Sequence, residues 1–160
     1  TFLNSATVCK AFGLPQDALN LFQMAQRIYE RDLPPDDERL AGLYNNMALT
    51  LVDLGMFDRA TELYEKAIRI MENSTDGAPN AAITYLNLAN AEEARLGLID
   101  AEEIITRYVV AAKELLERCQ KRDGNYAFVC EKCASVFDYY GYFMYAAELK
   151  ERARRIYEGS

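Results

Sequence analysis

Four glycines, Gly13, Gly55, Gly97 and Gly141, follow one another at steps of 42, 42 and 44 residues, and each closes a stretch with helical apolar spacing. A fixed period constrains the architecture before any single element is assigned, because a unit of this size buries its apolar faces only by stacking on its neighbours. Two further sets of small residues keep the register. Ala6, Ala48, Ala89 and Ala134 precede the glycine, while Ala18, Ala60, Ala101 and Ala146 follow it by four or five residues. Three sets in one register define four units, approximately 1–35, 36–77, 78–122 and 123–160, which together form a single domain.

Each unit reads as two helices. In the second, Met47, Leu51 and Leu54 and then Leu63, Ala67, Ile70 and Met71 recur at steps of three and four, the period that puts side chains on one helical face. The spacing predicts helices near 1–13, 15–31, 37–54, 57–73, 79–96, 98–121, 125–140 and 142–158. Pro15 fits a first helical turn, whereas Pro34, Pro35 and Pro79 are expected in the connections between units. Asp36 with Asp37, and Asp100 with Glu103, are expected to start and cap helices. No segment alternates with period two, so no strand is expected. The fold class is therefore an all-α solenoid of four antiparallel helix-turn-helix repeats. The alanines belong at the helix crossings, where a small side chain lets two axes approach, and Tyr44, Leu51 and Tyr64 fill the space around them.

Composition narrows the function. The 160 residues are 51% hydrophobic and carry 18 basic against 25 acidic side chains, a net charge of −7. The longest basic run is Arg154-Arg155, which argues against nucleic acid and anionic membrane as partners. There is no histidine, so imidazole triads and His-ligated zinc are excluded for this chain acting alone. Nor is there a Gly-rich phosphate loop or a convincing nucleophile and base; no catalytic residue, metal site or cofactor is assigned. Cys9, Cys119, Cys130 and Cys133 are too few for a disulfide scaffold and point to a reducing, cytoplasmic setting. The chain does not begin with Met, as expected of a piece of a longer protein.

With these residues in place, the chain resembles the tetratricopeptide repeat. Tyr44, Asn46, Met47-Ala48, Leu51, Gly55, Phe57, Ala60, Tyr64 and Ala67 fall where that pattern has an aromatic, a Leu-small pair, a glycine and spaced alanines. The longer period, and the Asn before the Leu-small pair, is similar to the kinesin-light-chain type. The resemblance implies a right-handed superhelix whose groove is lined by the first helix of each unit, and a scaffold or adaptor that holds a peptide or partner helix there. By that register Asn4, Asn46 and Asn87 share one groove position, with Lys132 replacing Asn in the fourth unit. Other groove positions are Thr7, Lys10, Asn45, Leu49, Val52, Asp53, Asn90, Glu93, Ser135, Asp138 and Tyr139. A carboxamide both donates and accepts, so a ladder of Asn suits the backbone of an extended peptide; the bland alternative has these amides bonding to neighbouring helices or water. Lys10 and Lys132 face Asp53, Glu93, Glu131 and Asp138, which favours a neutral or basic ligand.

Three departures from the pattern carry further expectations. Cys130 and Cys133 have the spacing of half a zinc site, yet both occupy inward positions of a helix, where buried packing is expected. Glu92 stands where the repeat has a large apolar residue, so it should be paired, displaced toward the groove or shifted in pKa; Tyr108 stands where Ala is usual. Phe137, Tyr139, Tyr140, Tyr142, Phe143 and Tyr145 cannot all face inward, because helical neighbours project about 100° apart. This aromatic end is a candidate for self-association or for contact with further sequence. Besides the binding module, two other functions stay open: a peptide-sensing regulatory domain of a larger bacterial signalling or transcriptional regulator, and, remotely, an enzyme.

Overall fold

A computed structural model describes residues 2–74 and 77–159; the expected outer boundaries at residues 1 and 160 lie outside this range. The described residues form α1 (Phe2–Ala11), α2 (Pro15–Asp32), α3 (Glu38–Asp53), α4 (Phe57–Glu72), α5 (Ala78–Leu96), α6 (Glu102–Arg118), α7 (Gly124–Tyr139) and α8 (Phe143–Tyr157), with no strand among them. Consecutive helices pair as the hairpins α1–α2, α3–α4, α5–α6 and α7–α8. The eight alanines that set the register are all buried, each at most 1% exposed. Tyr44, Leu51 and Tyr64 are buried beside them, so the small and large residues divide the crossings as expected.

Local chemistry explains most helix ends. Asp37 accepts the Arg39 backbone N–H at 2.9 Å and starts α3, and Asp123 accepts that of Tyr126 at 3.1 Å and starts α7. Pro15 is the first residue of α2, where a missing N–H costs nothing. Pro79 differs from expectation: it is buried in the first turn of α5 rather than lying in a connection, and the same tolerance for proline accounts for it.

Three of the four hairpin turns use one device. Gly55, at φ 75°, donates to the Val52 carbonyl at 3.0 Å, and Met56 N–H donates to that of Leu51 at 2.8 Å. These two bonds close the end of α3 with a left-handed residue. A Cβ on Gly55 would meet nothing within 4 Å, so the backbone angle alone selects glycine. The long second bond recurs from Leu14 to Cys9 at 2.9 Å and from Tyr142 to Phe137 at 2.8 Å. The third turn departs from this. Gly97 donates to Glu93 at 2.7 Å, and the chain then runs through Leu98 to Ala101 before α6 begins at Glu102. The helix start expected at residue 98 is thus four residues late. Asp100 does not cap α6: Ala101 occupies the cap position and makes no side-chain bond.

The stacking sets the curvature. α2 packs on α3 and α4 on α5, while α5 also meets the first helices on both sides, α3 and α7. Successive second helices make no comparable approach, so the first helices lie on the inner side of the bend. The core falls into two clusters that share α5. Leu88 and Ala91 join the first two units; Ala81, Ala82, Leu86 and Ala89 join the last two. At the final junction α7 lies along α5, and α6 reaches the fourth unit chiefly through long side chains at its C-terminal end.

Candidate functional site

The inner face is built from α1, α3, α5 and α7, and the helical period decides which side chains it presents. On α3, Asn45, Asn46 and Leu49 are half-buried, while Asp53 at the last residue is exposed. On α5, Asn87 and Glu93 are half-buried and Asn90 is exposed. Asn4 on α1, and Lys132 and Tyr139 on α7, are exposed.

Several of these groups meet across helices. Asn87 Nδ2 donates to Asn45 Oδ1 at 3.1 Å, and the Thr84 hydroxyl donates to the same oxygen at 3.2 Å. One edge of the amide pair is therefore spent in joining α5 to α3. Asn87 Oδ1 and Asn45 Nδ2 make no hydrogen bond among the described residues. Asn46 makes no side-chain hydrogen bond among the described residues. Further along, the Tyr140 hydroxyl donates to Asn90 Oδ1 at 2.7 Å, and the Tyr139 hydroxyl donates to Glu93 Oε2 at 3.0 Å. These two phenols tie α7 to α5 at the rim of the face. The other carboxylate oxygen of Glu93 is buried without a hydrogen-bond partner among the described residues.

The electrostatics follow from these contacts. The bond to Glu93 raises the Tyr139 phenol, since a neighbouring carboxylate opposes a second negative charge. Burial raises that of Tyr140, with Glu93 adding to the effect. Burial also raises Tyr64, whose hydroxyl has no partner among the described residues and feels Asp53. All three phenols stay neutral at physiological pH.

Two groove residues do something other than expected. Lys132 Nζ lies 5.1 Å from the centre of the Phe128 ring, a cation–π contact on its own helix. Glu131 leaves the groove altogether and lines a hollow with Lys150, Arg154 and Tyr157 beside α8. The charged groups assigned to the face are then Asp53, Glu93 and Asp138 against Lys10 and Lys132, a smaller acidic excess than the sequence suggested. Thr84 and Tyr140 are the contributors that sequence reasoning missed. Thr84 is three residues before Asn87 and so shares its helical face, a signal that was present; nothing local links Tyr140 to Asn90.

The remaining irregular positions are resolved inside the wall. Glu92 is buried at 5% exposure and paired, accepting from Arg95 Nη2 at 2.6 Å and Nε at 3.1 Å through one oxygen. Tyr108 packs its ring 6.2 Å from that of Tyr85, filling the space a smaller residue would leave. Cys130 and Cys133 are buried, and burial pushes the Cys133 thiol up to about 12, which leaves it unreactive. Of the aromatic end, Phe137 and Tyr145 are buried edge to face, while Tyr139 and Phe143 are exposed.

A curved stack of helical hairpins with an open inner face of amides, phenols and carboxylates defines the class: the chain is an all-α repeat solenoid. Residues 39–109 match the tetratricopeptide repeat family model. Two solved structures extend the likeness in fold beyond that stretch. BtubC (BKLC) from P. vanneervenii superimposes with a TM-score of 0.62 at 21% identity over 99% of this chain. A putative kinesin light chain with nearly identical TPR-like repeats from Podosopora anserina does so with a TM-score of 0.56 at 22% identity over 94%. This chain spans 62% of the length of the first and 71% of the second. No curated protein matches the sequence. The tetratricopeptide repeat is generally a scaffold for protein–protein interaction. Among the described residues, no helix is long and apolar enough to cross a membrane.

Proposed function

We propose that the chain is a non-catalytic adaptor module that holds an extended peptide or a helix of another protein on its inner face. The observation that carries this is the row of half-buried amides on neighbouring first helices. Asn46 has no side-chain partner among the described residues, and Asn87 is held by Asn45 in a fixed orientation. A positioned carboxamide with a free edge offers a peptide backbone both a donor and an acceptor without reading its side chains. Tyr139, Glu93 and Asp53 add acceptors and a modest negative charge, which favours a neutral or basic guest. All four cysteines are free, in keeping with a reducing cytoplasmic setting.

The test is a proteome pull-down with the wild type and the Asn46→Ala, Asn87→Ala double variant in parallel. The double variant is expected to lose the partners held by the wild type while its melting temperature falls by only a few degrees, since both side chains are half-exposed. Equal capture by the two proteins, with the fold intact, would remove the groove from consideration.

A further inference from the structure

The late start of α6 has a consequence at the outer rim of the third and fourth units. The C-terminal end of α6 is fastened to the fourth unit: Tyr126 donates to the Leu116 carbonyl at 3.3 Å, Tyr145 donates to Glu117 Oε1 at 2.7 Å, and Arg152 pairs with Glu117 at 2.9 Å. Toward its other end, α6 and the α7–α8 turn part around a cleft of about 340 Å³. Leu98, Ile105, Val109, Tyr140 and Tyr142 supply apolar wall, and Glu102 stands beside them. That volume is at the small end of the ~300–1,000 Å³ typical of ligand pockets, room for one or two apolar side chains.

The surroundings say what kind of side chains. The residues next to the cleft are large, apolar and in water: Ile99 and Met144 are each 89% exposed, and Phe143 is 65% exposed. The equivalent turn of the second unit presents only Met56, at 37%. Charge beside the cleft is mainly acidic. Segment 98–106 contains Asp100, Glu102 and Glu103, and the first basic residue after it is Arg107. None of the three carboxylates is in an ion pair among the described residues.

We infer that this cleft is a second binding site, separate from the inner face, for an amphipathic helix of a partner protein whose apolar anchors are flanked by Lys or Arg. A helix presents an apolar and a charged face together, so one anchor can enter the cleft with its neighbours on Ile99, Phe143 and Met144 while basic residues turn toward the carboxylates. The partner's basic residues meet Asp100, Glu102 and Glu103, which sets orientation and speeds encounter. The site stands whether or not the inner face binds a peptide.

Three synthetic helical peptides probe it by amide chemical-shift mapping on the isotope-labelled chain. One carries Leu at helical spacing with Lys elsewhere, the second keeps the Leu and replaces Lys by Glu, and the third keeps the Lys and replaces Leu by Ser. The Leu/Lys peptide is expected to shift resonances concentrated in 98–109 and 138–144, and to bind at least about tenfold more tightly than either control, a loss of one apolar anchor or of the charge match being worth that factor. The surface variants Ile99→Ser with Met144→Ser, and Glu102→Gln with Glu103→Gln, should each weaken it severalfold without changing the melting temperature. Asn46→Ala with Asn87→Ala should leave it unchanged. Equal binding of the Ser/Lys peptide, or shifts spread over every acidic surface, would overturn the site. So would concentration-dependent self-association in sedimentation that Ile99→Ser with Met144→Ser abolishes, because the rim would then belong to a second copy of this chain.

Discussion

The second and third units share a period and a set of alanines, yet they solve the same packing problem differently. The second closes its hairpin with two backbone bonds around Gly55, buries Leu51 at the crossing and starts α3 under the Asp37 side chain. In the third unit Glu92 takes the place of Leu51, α5 begins at Ala78 after Gly77, which provides no side-chain cap, and the turn after Gly97 is longer. Inside the irregular unit each departure is compensated nearby: Arg95 neutralises Glu92, and the Tyr108 ring packs against Tyr85. What is not compensated is the turn, and there the surface opens into the cleft with Leu98 and Ile99 exposed. Repeat architecture thus tolerates a defect in one unit by confining it between neighbours, and the defect becomes surface available for other use.

The largest test of this comparison swaps the two crossings. Leu51→Ala removes a fully buried side chain and is expected to cost about 2–5 kcal/mol in denaturant unfolding. Glu92→Leu, which gives the third unit the residue type of the second, should be neutral or mildly stabilising, because Arg95, with 41% of its side chain exposed, keeps its hydration when the carboxylate is gone. A large loss from Glu92→Leu would show that the pair holds the third unit together.

A smaller effect separates the turns. Gly55→Ala forces a side chain to φ 75°, and Gly97→Ala forces one into the glycine-only region at φ 86° and ψ 161°, with nothing within 4 Å of either added carbon. Each should lower stability by about 1–3 kcal/mol. Gly97→Ala should in addition move amide resonances around Leu98 and Ile105, whereas Gly55→Ala should leave the cleft alone.

The smallest effect is the acid dependence of the two helix starts. Hydrogen bonds from the Arg39 side chain and backbone hold the Asp37 carboxyl down, from 3.8 to about 2. Its folded value is depressed, so its contribution is complete above about 3.8 and is lost as the pH falls toward 2. Asp37→Asn should flatten that part of the acid unfolding curve. A carboxyl resonance titrating near 3.8 in the folded protein would mean that the cap is not formed in solution.

Much of the molecule was legible without a structure. The eight helices follow from apolar steps of three and four, and the hairpins from the glycines and alanines, because a helix end and a close crossing each demand a particular residue size or backbone angle that single residues announce. The same reasoning placed Cys130 and Cys133 inside and required a partner for Glu92. The candidate site was less legible. Asn45, Asn87, Asn90 and Glu93 were placed on one face from their register, but their bonds to each other and to Tyr139 and Tyr140 join residues 42 to 50 positions apart. Glu131 was assigned to the groove from position alone, and the packing of α8 draws it elsewhere.

By itself, then, the sequence determined what is local: where helices run, which faces are apolar, which residues make the turns and which charges are in short supply. Tertiary structure decided how one hairpin sits on the next. That includes the union of α7 with α5, the use of one amide edge between α3 and α5, and the parting of α6 from the last turn. The physical reason is range. Helix propensity and capping act over about four residues, whereas the docking of two hairpins is settled by many weak contacts between segments distant in the chain, and no single residue encodes their sum.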